Sequence, residues 1–270
     1  MKAQLKKNYI YFLEKYLFKM SVKKLKSDGI SVRGFKNLSS IKDHIIDLNV
    51  KDHSKINAGI WFDAIKNKYR LNSFLYRYVR TAEIIKKYID INSSRLIDFG
   101  AGSGIFLEYL DLKGVGIDIN QGCVDRMKDK GLEAYNLFDL NESFHNTFDH
   151  GFAFEVIEHV ENQLDVLNSI SNYIKDNGYL FVSIPFVKNS RVIKRVDPAK
   201  AEKRIENYHI FELDTVDFKN LISHTNFNVE SIEHLSPHKP SSIPIFGKII
   251  DKLFRADRPK WTIFVLKKNS

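Results

Sequence analysis

The feature that most constrains the fold is a glycine-rich turn that directly follows a short apolar run. Residues 96–98 read Leu-Ile-Asp, and glycines stand at Gly100, Gly102 and Gly104. Glycine permits a sharp turn out of a strand and lets a bound group approach the backbone without interference from a Cβ atom. A helix that follows such a turn offers its N-terminal N–H groups to a ligand. The turn therefore predicts a strand, loop and helix unit that binds a nucleotide-like molecule.

From residue 94 onward, short apolar runs alternate with helical segments. This is the sequence pattern of a parallel sheet that is wound with helices. The pattern predicts an α/β fold, a doubly wound seven-stranded, mostly parallel sheet with a helical N-terminal extension. Strands are predicted at 95–99, 114–118, 132–136, 149–154, 179–184, 227–234 and 261–267.

The chain divides into two regions and one insertion. Residues 1–92 are predicted to form the helical extension, which is a candidate for substrate or membrane contact, and residues 93–270 the α/β domain. Residues 186–208 are basic and poorly periodic, so they are interpreted as an inserted lid or loop. Within the extension, helices are predicted at 3–26, 54–68 and 71–90.

The net charge and the cysteine content restrict the classes of partner and the cellular compartment. The formal net charge of +9 would favour nucleic acid, anionic lipid or an acidic substrate, although a general compositional bias explains it equally well. Cys123 is the single cysteine, and one cysteine cannot form an internal bridge, which favours a reducing compartment. No run approaches the roughly 18 apolar residues that a membrane span needs. We expect a cytoplasmic protein, or one bound peripherally at the inner face of a membrane.

Three acidic residues narrow the ligand. The dinucleotide-binding fingerprint places its third glycine at the position of Ile105 and needs no acid at Asp98. An acid at Asp98 suits a ligand that carries an ammonium group. Asp118 ends the second predicted strand, where a carboxylate can accept hydrogen bonds from both hydroxyls of a ribose. Asp139 follows the third strand, where an adenine would lie, although each acid alone could also be a helix cap or a solvated loop residue.

At this point the chain resembles the class I, Rossmann-like S-adenosylmethionine-dependent methyltransferases, over about residues 94–236. Residues 96–104 look like the first motif of that family, and residues 115–118 like its second. Residues 148–154 resemble the fourth strand, and residues 178–185 the fifth strand with its closing proline. The alternative is an unrelated nucleotide-binding α/β protein.

The resemblance implies S-adenosylmethionine as the cofactor and a Rossmann-like methyltransferase domain over residues 93–270. The glycine loop would hold the methionine part of the cofactor, Asp118 the ribose, and the segment at Asp139 the adenine side. The residues implied to contact the cofactor are Asp98, Gly100, Ala101, Gly102, Gly104, Asp118, Ile119, Asp139, Leu140 and Glu155.

A second group of chemically active residues follows the fourth strand. If Glu155, Glu158 and His159 begin a helix, their i, i+3 and i+4 spacing places them on one face, and His209 could join them from beyond the insertion. Two carboxylates and two imidazoles can hold a divalent cation such as Mg, Mn, Fe or Zn. These four residues are therefore the candidate metal ligands. In the alternative interpretation, Glu155 contacts the cofactor, Glu158 complements a helix N-terminus, and His159 is an interior histidine.

The same Glu-x-x-Glu-His run resembles the metal-binding pattern of the ubiquinone-pathway O-methyltransferases and of the small-RNA 2′-O-methyltransferases. Both branches also carry a downstream histidine. A bound cation would hold substrate oxygens and lower the pKa of an attacking hydroxyl. His159 and His209 are the candidate bases, and Glu155 completes the predicted catalytic set.

The parts around the sheet are expected to select the acceptor. The helix at 3–26 and the segment at 245–255 are basic and amphipathic, which fits docking on an anionic membrane, although such apolar faces more often cover a core. Residues 69–80 mix arginine with tyrosine, which would support RNA binding if they faced outward. We predict O-methylation of a small-molecule, lipid-linked or saccharide acceptor. RNA 2′-O-methylation is the second hypothesis, and a non-catalytic protein that only binds S-adenosylmethionine is the third.

Overall fold

Seven strands form one sheet in the part of the chain that the structure, a computed structural model, describes. The strands, including the separate pair β6 and β7, are β1 (Leu96–Phe99), β2 (Gly114–Asp118), β3 (Glu133–Asn136), β4 (Phe148–Phe154), β5 (Ile174–Pro185), β6 (Arg191–Val192), β7 (Phe211–Glu212), β8 (Phe227–Leu235) and β9 (Trp261–Lys268). Five strands of the sheet run parallel, in the order β3-β2-β1-β4-β5, and β9 lies antiparallel between β5 and β8. The predicted doubly wound, mostly parallel sheet is confirmed. The described residues are 19–20, 22–30, 68–192, 209–235 and 259–270.

Helices flank the sheet, and polar side chains fix where several of them begin. The side chain of Asn120 accepts a hydrogen bond from the backbone N–H of Gly122, and that of Asp214 accepts two from the next helix start. These are ordinary N-caps, in which a short polar side chain satisfies an unpaired N–H group. The helices are α1 (Lys68–Ile85), α2 (Ile105–Tyr109), α3 (Gln121–Asp129), α4 (Gln163–Ser171) and α5 (Thr215–Ile222).

The core consists of two apolar layers, one on each face of the sheet. All four residues of β1 are buried, as expected for a parallel strand that is covered on both faces. On one face Phe152 packs in a cluster with Val79 of α1 and Phe106 of α2. On the other face Ile97 and Leu167 of α4 belong to a second cluster. Helix α1, from the predicted N-terminal extension, is therefore part of the core that supports the sheet.

One sequence expectation differs from the structure. The segment after β4 does not form an α-helix but a single 3₁₀ turn at Ile157–His159. Near the predicted insertion at 186–208, β6 pairs with β7, which lies just beyond it, and Arg191 stands opposite Glu212. Most of the helix predicted at 3–26 and of that at 54–68, residues 193–208 of the insertion, and the segment 245–255 lie outside the described residues.

The described helices include no candidate for a membrane-spanning segment. None of them combines the length and the apolar character needed to cross a bilayer.

Candidate active site

The glycine turn has the backbone conformation that its sequence predicts. Gly100, Gly102 and Gly104 have φ angles of 68°, 57° and 71°, in the left-handed region that glycine adopts without steric cost. The backbone N–H of Ala101 donates to the carbonyl of Ile117, at 3.0 Å, which ties the turn to the end of β2. The turn therefore lies at the carboxyl ends of the parallel strands, where ligands bind in open α/β sheets.

The segment after β4 packs directly on this turn at Gly100. A Cβ atom on Gly100 would lie 2.5 Å from Cγ2 of Val156. We expect Gly100→Ala to lower the free energy of unfolding by about 2 to 5 kcal/mol, because it combines a left-handed Cβ penalty with overpacking. Urea denaturation of the two proteins measures this difference.

Gly131→Ala is the matched control for that substitution. Gly131 also has a positive φ, +77°, but a Cβ atom there would meet nothing within 4 Å. It should lose only the backbone part, about 1 to 2 kcal/mol. Equal losses in the two variants would contradict a role for the Val156 contact.

Asp98 and Asp118 lie on either side of the turn and differ in their surroundings. Asp98 is 3% exposed, and burial, followed by the nearby charge of Asp118, raises its pKa to about 8. The carboxylate of Asp118 accepts a hydrogen bond from Gly102 N at 2.9 Å with one oxygen and from Asn120 N at 2.8 Å with the other. Asp118 therefore holds the turn in place while lying at the end of β2, where the sequence predicts a ribose site.

Exposed apolar side chains lie just after β2 and just after β3. Ile119 is 50% exposed, and Phe138, in the 3₁₀ turn Leu137–Asp139, is 83% exposed. The side-chain amide of Asn136 donates to the carbonyl of Ile119, at 3.2 Å, and so links the two segments. Asp139 is exposed and Leu140 is half-buried. Sequence reasoning identified Ile119, Asp139 and Leu140 but missed Phe138, although an aromatic residue at a strand end was a visible signal.

Glu155 lies outside the predicted helical face. Its φ angle is 57°, and its carboxylate accepts from the hydroxyl of Ser183 at 2.8 Å and pairs with Arg77 of α1 at 3.4 Å. The expectation that helical spacing gathers Glu155, Glu158 and His159 was wrong, because the chain turns sharply at Glu155 and forms only a 3₁₀ turn after it. Arg77 and Ser183 are site residues that sequence reasoning missed.

Glu158, His159 and His209 do come together. One ligand atom from each of the three residues lies within 4.8 Å of the others. The Nε2 atoms of both histidines lie 4.0 Å from Oε1 of Glu158. The two rings are nearly perpendicular, with centroids 4.8 Å apart.

The carboxyl group of Glu158 is the unusual member of this group. It is 1% exposed, and neither of its oxygens has a hydrogen-bond partner among the described residues. Burial, followed by the charge of Glu155, raises its pKa well above the ordinary value. A buried polar group without a partner is rare and costs free energy. An unpaired carboxylate beside two imidazoles is the donor set that a divalent cation takes, so these residues fit such an ion.

Residues close to His209 in sequence hold it beside Glu158. The backbone N–H of Ile210 donates to the carbonyl of Glu158, at 2.6 Å. Nδ1 of His209 lies 2.5 Å from Oε1 of Glu212, and Arg191 contacts the other oxygen of Glu212 at 2.6 Å through Nε. Sequence reasoning missed Glu212 and Arg191. Glu212 stands three residues after a predicted site histidine, and that spacing was the available signal.

A family model and curated relatives both match this chain. A family model described as a methyltransferase domain matches residues 71–232. The mitochondrial ubiquinone biosynthesis O-methyltransferase of Schizosaccharomyces pombe is 27% identical over 178 residues, which are 60% of this chain and 64% of that protein. The ubiquinone biosynthesis O-methyltransferase of Neisseria meningitidis serogroup C is 25% identical over 54% of this chain and 65% of its own length. The chain thus spans just under two thirds of the length of these curated relatives.

Solved structures share the fold. A putative sarcosine dimethylglycine methyltransferase from Galdieria sulphuraria superposes with a TM-score of 0.51, over 77% of this chain and 89% of that one, at 13% sequence identity. At this identity the likeness concerns the fold alone.

Proposed function

Because the chain belongs to the class I S-adenosylmethionine-dependent methyltransferases, we propose that it methylates an oxygen of a small-molecule, lipid-linked or saccharide acceptor. The observation that carries this proposal is the group of Glu158, His159 and His209 beside the glycine turn. A hydroxyl acceptor must lose a proton when it is methylated, and this group offers both a base and a cation site. The names of the two curated relatives, both ubiquinone biosynthesis O-methyltransferases, support an oxygen acceptor.

The cofactor side of the proposed site is built from the strand ends. We assign the ribose to Asp118, the ammonium group to Asp98, and the adenine to the apolar surface of Ile119 and Phe138. S-adenosylmethionine supplies a sulfonium-bound methyl group that is electrophilic, so the protein needs to align the acceptor and exclude water. The remaining proposed cofactor contacts are Gly100, Ala101, Gly102, Gly104, Asp139 and Leu140.

Glu155 belongs on the cofactor side rather than in the cation group. Its carboxylate is held by Arg77 and Ser183. Burial raises the pKa of Tyr78, the charge of Arg77 lowers it, and the charges of Asp98 and Glu155 add to the increase. We therefore assign Glu155 to the boundary between cofactor and acceptor.

The acceptor side has two histidines that can take a proton. Nε2 of His159 or of His209 is the proposed acceptor of the hydroxyl proton, because both atoms point to the same space beside Glu158. In the alternative arrangement, a divalent cation, either Mg, Mn or Zn, would be held by Glu158, His159 and His209. It would occupy the Nε2 lone pairs and lower the pKa of the acceptor hydroxyl, so that the proton passes to solvent instead of to a histidine.

The described part of α1 favours a small acceptor over RNA. Arg77 is only 7% exposed and pairs with Glu155, and Tyr78 packs against Phe106 with ring centroids 5.5 Å apart. Arg80 pairs with Glu83. Arg77 and Tyr78 are engaged in internal contacts and Arg80, 29% exposed, is engaged in an ion pair, so these three do not form the stacking surface that single-stranded RNA requires. Contact of the basic segments at 3–26 and 245–255 with a membrane stays a prediction.

The test compares methyl transfer from labelled S-adenosylmethionine to lipid extract, glycan precursors and short RNA, each with and without a chelator. We expect turnover on lipid or glycan fractions that is lost with the chelator and restored by one of the three cations. Turnover on RNA alone would overturn the proposed acceptor class, and chelator-resistant turnover would remove the cation. Tight cofactor binding without turnover on any acceptor would indicate a non-catalytic binding protein.

The raised pKa of Asp98 predicts that cofactor binding depends on pH. In the free protein the buried carboxyl keeps its proton up to about pH 8, whereas an ammonium-bearing ligand binds its ionised form. The affinity should therefore rise from pH 6 to pH 8, with proton release on binding. The raised pKa also affects stability. Because the folded protein holds the proton of Asp98 more tightly than the unfolded chain does, the contribution of Asp98 to the stability of the free protein falls as pH rises from about 4 through 8. Calorimetry in two buffers of different ionisation enthalpy measures the proton release.

Asp98→Asn is the control for this pH dependence, since its side chain does not titrate. It should bind the cofactor more weakly and with an affinity that is flat between pH 6 and 8. If the wild-type affinity is equally flat, Asp98 does not bind the ammonium group as an ionised carboxylate.

A further inference from the structure

Glu212 uses its two oxygens for two different neighbours. Oε1 lies 2.5 Å from Nδ1 of His209, and Oε2 lies 2.6 Å from Nε and 2.5 Å from an outer nitrogen of Arg191. The Glu212 side chain is 6% exposed, whereas that of Arg191 is 62% exposed. The carboxylate is thus buried between a half-buried imidazole, 30% exposed, and a guanidinium at the surface.

This contact determines which nitrogen of His209 carries hydrogen. An ionised carboxylate only accepts hydrogen bonds, so Nδ1 of His209 must be the donor. In the neutral imidazole the other nitrogen, Nε2, then holds a lone pair. Nε2 is the atom that lies 4.0 Å from the carboxylate of Glu158. Glu212 therefore directs a lone pair of His209 toward the proposed cation site.

The short β6–β7 ladder keeps Glu212 in this position. Arg191 and Glu212 are register partners on the two strands, so their side chains meet across the ladder. Ser190 and Asp214, one step further along, join the same two segments, because Ser190 Oγ accepts from Asp214 N at 2.8 Å. The strands flank residues 193–208, so this pairing ties both ends of the insertion to the histidine.

We infer that Glu212 is a positioning residue that fixes His209 in its Nδ1–H form with Nε2 directed at Glu158, and that Arg191 holds Glu212 for this task. The inference rests on the proposed function, because the lone pair of His209 Nε2 would bind a cation or accept a proton in that reaction. A carboxylate that accepts from a ligating histidine commonly fixes the tautomer and raises the basicity of the ring. The contacts of Glu212 with His209 and Arg191 are made within the chain and need no bound cation.

The first test reads the tautomer directly. In ¹⁵N-labelled wild-type protein without cation at pH 8, the signals of His209 are identified by comparison with His209→Gln. We expect a pyrrole-type shift for Nδ1 and a pyridine-type shift for Nε2. An Nε2–H tautomer, or an imidazolium at this pH, would overturn the inference before any variant of Glu212 is made.

The second test removes the carboxylate. In Glu212→Ala, His209 should move toward the Nε2–H form that prevails in free histidine, whereas Glu233→Ala should leave its spectrum unchanged. Glu233 is a matched control because its carboxylate pairs with Lys87 at 3.2 Å, in a surface contact between α1's C-terminal end and β8. Glu212→Gln preserves the shape and one acceptor oxygen, so it should fold and keep the Nδ1–H form. An unchanged His209 spectrum in Glu212→Ala would contradict the inference.

The third test measures cation binding by calorimetry with Mn²⁺ and Zn²⁺. Loss of a carboxylate that orients a ligating histidine typically weakens metal binding about 10- to 100-fold, and we expect this for Glu212→Ala. Arg191→Gln should weaken it by at most about fivefold, because the guanidinium is 62% exposed and solvent screens its charge. Lys175→Gln, which breaks an exposed pair with Asp149, is the control and should have no effect.

These readouts separate the inference from the proposed function. If the wild-type protein binds neither ion, the proposed cation site fails, while the tautomer of His209 still decides the role of Glu212. If cations bind and Glu212→Ala binds them as tightly as the wild type does, the positioning role fails and the cation site stands.

Discussion

Asp118→Ala is expected to weaken the binding of S-adenosylmethionine by about a hundredfold to ten-thousandfold. Two hydrogen bonds from ribose hydroxyls to a charged acceptor contribute about 3 to 6 kcal/mol together, which corresponds to that range. The same carboxylate accepts from Gly102 N and Asn120 N, so its loss also releases the glycine turn. Equilibrium dialysis or calorimetry with S-adenosylmethionine measures the loss.

Asp125→Ala is the matched control. Asp125 lies on α3, is exposed, and accepts a hydrogen bond only from Gln121, at 2.7 Å, among the contacts of its side chain that the structure gives. Its replacement should leave cofactor binding unchanged. If Asp118→Ala binds the cofactor as the wild type does, the ribose lies elsewhere and the assignment of the whole cofactor side is wrong.

Glu158→Leu is expected to change activity and stability in opposite directions. Methyl transfer should fall by about 100- to 10,000-fold, because the proposed base and cation group loses its buried carboxylate. The cation-free protein should become more stable by about 1 to 3 kcal/mol, since a buried carboxyl without hydrogen bonds costs about that much.

The stability gain should also depend on pH. The raised pKa of Glu158 means that the wild-type protein loses stability as pH rises from the ordinary carboxyl range through that pKa, so the gain in Glu158→Leu should be larger at pH 8 than at pH 5. Thermal unfolding in the presence of a chelator, together with turnover, measures both effects. Glu161→Leu, an exposed glutamate in the same segment, should alter neither. A destabilised Glu158→Leu would show that the carboxyl has a structural partner.

Local patterns were enough to predict the sheet and the conformation of the glycine turn. The seven strands were placed within a few residues, except that β5 begins at Ile174 rather than at 179. Strand length and apolar runs are properties of neighbouring residues, and so is the demand of the turn for glycine. Asp118 was predictable because the carboxyl end of a strand fixes where its last side chain lies.

The acceptor side depended on contacts between distant segments. Glu155 has the right spacing to join Glu158 on a helix, but Ser183 of β5 and Arg77 of α1 hold its carboxylate elsewhere. The antiparallel position of β9 between β5 and β8 likewise follows from long-range pairing. Sequence spacing does not report which of several polar partners a side chain meets.

The sequence by itself determined the fold class, the glycine turn and the acids at the strand ends. The backbone conformation of the turn and the alternation of strands and helices follow from residues that are close in the chain. Only the tertiary structure decided that His209 meets Glu158 and that Glu212 and Arg191 support it. The physical reason is that these contacts join residues distant in sequence, about 50 residues apart for Glu158 and His209 and about 20 for Arg191 and Glu212. Burial of Glu158 and pairing of β6 with β7 select one arrangement among those that the spacing allows.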